Sequence, residues 1–387
     1  MRLKAVINVV IICVLINIFS FKSTSADILG RERQFDKLSV TEGLSNDYIT
    51  TIFQDSKGYM WIGTQDGLNR YDGEVVKTYN ADINSSNSLS STYINVIVED
   101  DFGNIWIGTD NGLDIIINNI YDVVRVKEYK NIKYNLGEVE ITAILNTSYE
   151  ENIMLVGTSN GLIKLNIETW EAEEFYNDEG DDNSLTNSYI TCLEEDLYNC
   201  IWVGTKNGIN IIDKDFKIAY SQTKIYENKL FIYDIGSNSL GEMWISTKEG
   251  IIICHINNVE SMQIVILSSD GVKLYSFDED KIESILENQY IDIYNNSFIM
   301  SDSKDNMWIS SSDGIKVYFR DIMEMVEFKK DIKIQNDLSS NVITCFYEDI
   351  NGVIWIGTDR GVNILTGNKQ FNHTIRNDQG GGLLYDK

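Results

Sequence analysis

The residues able to do covalent or metal chemistry are few and scattered. The two histidines, His255 and His373, have no metal-ligand or triad-like companion nearby and read as structural. Of five cysteines, Cys192, Cys200, Cys254 and Cys345 lie outside the leading segment and show neither metal-ligand spacing nor a small-scaffold disulfide pattern. Cys192 and Cys345 stand at equivalent places in two copies of a repeat, as buried apolar thiols would. No Walker loop, H-E-x-x-H or G-x-S-x-G is present. No catalytic residue, metal ligand or cofactor site is assigned, and the chain does not read as an enzyme.

What remains is noncovalent recognition, and two sets of residues carry it. The first is a series of Thr-x-x-Gly loops whose tips differ from copy to copy. Among them are Asp66, Asn111, Asn160, Asn207, Glu249, Asp313 and Arg360. Variation on a fixed scaffold is where ligand specificity resides, and it is equally what unselected surface looks like. The second set is aromatic: Tyr48, Tyr93, Tyr189 and Phe231 each stand thirteen residues before a recurrent Trp. An aromatic collar near a channel mouth suits a sugar, stacking on its CH faces while amide tips bond its hydroxyls. Ordinary strand packing accounts for the same aromatics.

The elements that position these residues come from one repeated sentence. It reads GYMWIGTQDGL from Gly58, GNIWIGTDNGL from Gly103, NIMLVGTSNGL from Asn152 and NCIWVGTKNGI from Asn199. It returns as GEMWISTKEGI from Gly241, DNMWISSSDGI from Asp305 and GVIWIGTDRGV from Gly352. Trp61, Trp106, Trp202, Trp244, Trp308 and Trp355 anchor six copies and Leu155 the other, at spacings of 45, 49, 47, 42, 64 and 47 residues. Periods of about 40–50 residues with strand-and-turn content mark a propeller. The apolar run on consecutive residues around each Trp predicts a strand buried on both faces, as between neighbouring blades. Asp55, Asp100, Asp196, Asp302 and Asp349 lie six residues before their Trp, in hairpins where a carboxylate can cap turn amides. Oxygen-rich loops can also hold calcium, but one carboxylate per hairpin is not a cage.

The chain is therefore expected to be all-β, a seven-bladed β-propeller of four-stranded antiparallel blades spanning residues 34–377, with 378–387 a tail outside the repeat. The longest spacing predicts an insertion around Ser261–Glu287. Ring closure stays open: either Phe35–Val40 or Gln370–Ile375 can supply the last outer strand.

Composition narrows the partners. Lys plus Arg number 32 against 59 acidic residues, a formal charge of -27. That surface repels phosphate backbones and anionic lipid, which excludes nucleic acid as a partner class. The 43% hydrophobic content argues for a packed core rather than acidic disorder. Arg2 and Lys4 precede an apolar run from Ala5 to Phe21, followed by Thr24-Ser25-Ala26. Residues 1–26 thus read as a secretory signal or an uncleaved anchor, and export follows either way.

The W-I-G-T-x-x-G-L core, its preceding D-x-x-G turn, the stretch Gly67 to Gly73 and the Asn-Ser-Leu-Ser linker at 87–90 resemble the two-component regulator propeller family. The resemblance implies an extracytoplasmic ligand-sensing propeller whose partners are a small-molecule ligand, such as an oligosaccharide, and a membrane-bound sensor kinase or a second propeller. No output segment follows within these 387 residues. Streptogramin-lyase-like propellers need a catalytic histidine that no suggestive position supplies here. Sialidases share a superficially similar turn but need clustered arginines. A structural or protein-interaction propeller is the alternative, and a lyase- or hydrolase-like enzyme the more distant one. The sequence sets no oligomeric state.

Overall fold

The computed structural model describes residues 34–366 apart from 83, 86, 127–135, 182, 226–227, 249, 256–262, 269–270, 277–280, 288–297, 322–323 and 332–336. Each repeat folds into its own antiparallel sheet. Blade one consists of Ile49–Gln54, Met60–Thr64, Gly67–Tyr71 and Val76–Tyr79, from the axis outward. The innermost strands of consecutive blades touch one another, and that of blade seven touches that of blade one, so the seven blades form a ring. The described residues are all-β but for a 3-10 turn at Val40–Glu42 and 3-10 backbone at Val126.

Residue order dictates this build. Every residue of Met60–Thr64, Ile105–Thr109, Ile201–Thr205 and Ile354–Thr358 is buried, as a strand sandwiched between two neighbours requires. Turn chemistry sets the corners. The residue three before each anchor has positive φ in all seven blades, from Gly58 at 91° to Asn199 at 61° and Asp305 at 60°. These are the residue types that tolerate the left-handed region. The glycine of W-I-G-T has another reason. A Cβ on Gly63 would lie 2.7 Å from Ile94 Cγ2 of the next blade and 2.7 Å from Thr51 Cγ2 of its own. Gly108 meets Ile141, Gly157 meets Ile190 and Gly204 meets Ile232 in the same way. The blades pack on that missing side chain.

Ring closure falls to the N-terminal strand. Gln34–Leu38 pairs with Gly361–Thr366, from Gln34 opposite Thr366 to Leu38 opposite Val362. It becomes the outer strand of blade seven, with Phe35 and Leu38 buried. The rival closing segment, Gln370–Ile375, lies outside the described residues, as do 1–33 and the tail. Blade five departs from the four-stranded rule. Its sheet has six strands, because the insertion supplies Gln263–Ser268 as outer strand and continues with Gly271–Ser276 and Lys281–Glu287. A hairpin added in sequence is added to the free edge of the sheet, where its backbone groups find partners.

Candidate functional site

Antiparallel pairing fixes what each face of the disc carries. Ile49 opposes Thr64, Thr64 opposes Gly67 and Leu68 opposes Tyr79. The starts of innermost strands, the Thr-x-x-Gly loops and the blade-to-blade linkers therefore share one face. The Asp-x-x-Gly hairpins share the other with the turns between third and outer strands.

On the hairpin face the aspartates are fully engaged. Asp55 Oδ1 accepts the amides of Lys57 and Tyr59 at 3.0 and 2.9 Å, and Oδ2 accepts the indole N–H of Trp61 at 2.8 Å. The indole bond recurs from Trp106 to Asp100, Trp202 to Asp196, Trp308 to Asp302 and Trp355 to Asp349, at 2.7–3.0 Å. Carboxylate oxygens spent on two amides and an indole have little left for a cation. Between blades, Glu99 accepts the amide and hydroxyl of Ser56, and Glu195 those of Ser148. The six Trp anchors are 0–4% exposed, and an enclosed ring meets no ligand.

On the loop face, Thr64 Oγ1 donates to Gly67 O at 2.8 Å and accepts the amide of Asp66. The linker docks on the same loop: Ser45 Oγ lies 3.0 Å from Thr64 Oγ1, and the Ser45 amide donates to Asn69 Oδ1 at 2.9 Å. Ser90 with Asp114, Thr186 with Asn210 and Ser339 with Asn363 repeat this lock. The residue two after each Thr thus points its amide inward and its side chain outward. Asp66, Asn111, Asn160, Asp313 and Arg360 are exposed and Asn207 is half-buried.

The cavity of this face lies closer to the axis. A space of about 300 Å³ opens at the channel mouth across blades six, seven, one and two. Tyr48, Tyr93 and Phe298 supply its aromatic surface, and Thr50, Asn95, Asn341, Thr344 and Ser310–Ser312 its polar groups. Among the described residues no charged side chain lines it, in a protein of net charge -27. The hydroxyl oxygens of Thr50 and Ser311 have no hydrogen-bond partner and are enclosed, away from the open space, while the Thr344 hydroxyl bonds the Cys345 thiol. Burial, with Tyr93 and Asp359 nearby, pushes the Tyr48 phenol up, so it stays a neutral donor.

The expected collar is thus divided. Tyr48 and Tyr93 line the cavity, whereas Tyr189 is engaged elsewhere. Its hydroxyl bonds Glu140 Oε2 at 2.8 Å, and Lys206 Nζ sits 3.2 Å above its ring. Phe231 packs on Tyr233 at 4.7 Å between ring centroids. The tips Asp66, Asn111, Asn207, Asp313 and Arg360 lie outside the cavity lining. Asn160 lines a second space of about 250 Å³ with Glu138, Glu174 and Tyr176. Glu249 lies outside the described residues.

Sequence reasoning missed the inner polar ring, although a signal was there. Thr50, Thr142, Thr191 and Thr344 each follow the first isoleucine of an innermost strand, and Asn95 follows Ile94 in the same way. The innermost strand carries a bulge at this step, seen between Ile49 and Thr51, Ile94 and Val96, and Ile343 and Cys345. Bulges re-aim side chains, which is how Thr50, Asn95 and Thr344 come to line the cavity. Cys192 and Cys254 are buried, and burial pushes the thiols of Cys254 and Cys345 up to about 12, far from nucleophilic use at neutral pH.

The two component regulator propeller family matches residues 43–66, 88–111 and 337–360, which span the innermost hairpins of blades one, two and seven. Histidine kinase P4 of Formosa agariphila is 35% identical over 71 residues, 18% of this chain and 5% of that protein. The extracellular domain of the hybrid two component system BT3049 from B. thetaiotaomicron superposes with a TM-score of 0.65 at 20% identity, over 87% of this chain and 42% of that one. Virginiamycin B lyase from Staphylococcus aureus superposes at 0.56 with 11% identity, over 86% and 99%. The chain thus spans a small part of the kinase and under half of the sensor domain, and at these identities the two structural likenesses show the fold alone. The two component regulator propeller model thus matches three of the seven blades of this propeller.

Proposed function

We propose that the chain is the sensing part of an extracytoplasmic signalling system and captures a small neutral, hydroxyl-rich ligand, such as an oligosaccharide end, at the channel mouth. The observation that carries this reading is the cavity at the channel mouth, with aromatic walls and, among the described residues, no charged side chain in its lining. Tyr48, Tyr93 and Phe298 offer faces for sugar CH groups. Two facts speak against turnover. Among the described residues no titratable side chain other than tyrosine lines the space, and general acid–base chemistry needs one near neutral pH. Signal output is assigned to a partner, a membrane-bound kinase or a further propeller, in line with the resemblance to two-component sensor domains.

The test is a thermal melt and calorimetric titration of the chain against a panel of neutral and acidic oligosaccharides. A ligand at 100 times its Kd should add about 2.7 kcal/mol to stability. Tyr48→Ala and Tyr93→Ala should each abolish the shift while leaving the unliganded melt within a few degrees. Binding that survives both substitutions, or product formation, overturns the reading.

A further inference from the structure

We infer that the hairpin face, opposite the cavity, is a docking surface for a protein partner with an apolar centre bordered by lysine and arginine. This stands whether or not the loop face takes a ligand. Ten large hydrophobic residues are exposed among the described residues, and five of them sit at the tips of only four Asp-x-x-Gly-type hairpins. They are Phe102 in blade two, Leu197 and Tyr198 in blade four, Leu240 in blade five and Ile350 in blade seven, between 46% and 88% exposed. Two more, Val75 and Ile120, stand in turns between third and outer strands on the same face. A hairpin tip has no structural use for such residues. Blade one carries Ser56-Lys57 and blade six Ser303-Lys304 at the same step, with the same turn geometry. Apolar groups at positions where polar ones serve the turn equally well mark an interaction site.

Placement gives the patch continuity. Asp-x-x-Gly hairpins join the two innermost strands, so their tips ring the lower rim of the channel. Leu197 Cδ1 reaches to 3.5 Å from where a Cβ on Gly241 would stand, so the blade-four tip lies against the hairpin carrying Leu240.

Charge selects the occupant. Exposed acids in the tips and turns of the same face, among them Glu74, Asp101, Asp122, Glu151, Glu168 and Asp215, outnumber its exposed lysines Lys214, Lys217 and Lys304. A second copy would bring acidic rim against acidic rim, and an anionic bilayer would repel it likewise. A protein with apolar side chains at its centre and cations at its border satisfies both parts. This is the anatomy of a protein interface, an apolar core within a polar rim.

The experiment places a photo-reactive benzoylphenylalanine at position 102, or at 342 on the loop face as control, in the full chain within its own cells. The expected result is one protein adduct from position 102, with a lysine- or arginine-bordered cross-linked surface, and none from 342. Yield should fall about ten-fold in the Leu197→Ser/Tyr198→Lys/Leu240→Lys/Ile350→Ser variant, since a few anchors carry most of an interface. These residues already occupy equivalent tips, so the variant should melt like the parent. The adduct formed from purified components should also weaken between about 0.05 and 0.5 M salt, as screening of rim charges requires. Adducts to lipid, adducts to another copy of this chain, equal yield from position 342, or no adduct would each overturn the inference.

Discussion

The indole nitrogen of Trp244 has no hydrogen-bond partner, and six residues before it stands Asn238 where five other blades have aspartate. Asn238 Oδ1 accepts the amides of Leu240 and Glu242, as an aspartate would. Its second terminal atom is a donor, which bonds Glu242 Oε2 at 2.7 Å and cannot accept an indole proton. The other anchors show what that single atom does. Asp55→Asn should reproduce the defect in blade one, leaving the Trp61 indole unpaired. The expected loss is about 1–3 kcal/mol, read as a lower denaturation midpoint. In a Trp61→Phe background the same change should cost distinctly less. Equal costs in the two backgrounds would mean that the carboxylate acts on the turn amides alone.

Two carboxyls on innermost strands tie the dependence of stability on pH to blades four, five and six. Asp234 accepts the Ile299 amide across the boundary from blade five to six, and Glu194 accepts the Ser237 amide and hydroxyl across that from four to five. Burial pushes both up to about 7, against the pull of those bonds. A raised acid holds its proton in the folded chain at pH values where the unfolded chain has released it. Folding therefore takes up protons between about pH 4 and 7, and stability falls as pH rises through that window. The chain should be more stable at pH 5 than at pH 8 by about 1 kcal/mol or more per group. Asp234→Asn combined with Glu194→Gln should flatten the slope, whereas a slope unchanged in that variant would assign it to general repulsion among surface acids.

A single methyl group should test how tightly the blades abut. Gly63→Ala would put a Cβ 2.7 Å from Ile94 Cγ2 and from Thr51 Cγ2, closer than packed carbons approach. Overpacking of this kind costs about 1–3 kcal/mol. Gly58, at φ 91°, has nothing within 4 Å of such a Cβ. Gly58→Ala should thus register only backbone strain. A chemical melt showing Gly63→Ala as the milder change would remove blade-to-blade contact as the reason for glycine in W-I-G-T.

How far these features were readable follows from what each depends on. Blade number, the buried Trp strands, the turn glycines and the capping aspartates depend on residues within one repeat, so the sevenfold recurrence displayed them. The cavity does not. It gathers Tyr48, Tyr93, Ser311 and Thr344 from four blades, a meeting that no single repeat displays. Thr-x-x-Gly tips looked like the binding edge because they vary. The hydrogen bond from each loop Thr fixes those tips at mid-radius, away from the axis. The division of the aromatic collar was equally hidden, since Tyr189 is claimed by Glu140, whose place beside it is set by the third dimension. Closure lay between two segments of similar pattern, and only pairing decides between them.

The last expectation concerns that closure. The outer strand of blade seven is Gln34–Leu38, and its removal would take the edge from a sheet whose other three strands lie 300 residues further on. Phe35 packs with Trp308, Val317 and Ile354, and Leu38 with Ile49, Trp355 and Val362. Burying each such side chain is worth about 1.5–3 kcal/mol. The strand also satisfies the outward backbone groups of Gly361–Thr366, which would otherwise face solvent. More than local loss follows, because blade seven is clamped to blade one through the Ile350 amide on Gln54 Oε1 at 2.9 Å and through Gly357 lying against Ile49. A chain beginning at Ser39 should therefore lose its single cooperative melt for a broad transition at lower temperature, with amide exchange fastest in blades seven and one. Adding back a peptide of residues 34–38 fused to the C-terminal side of Thr366 by a short flexible linker should restore the sharp transition, since the register partners would again be available. A truncated chain that melts as the parent does would mean that another segment closes the ring.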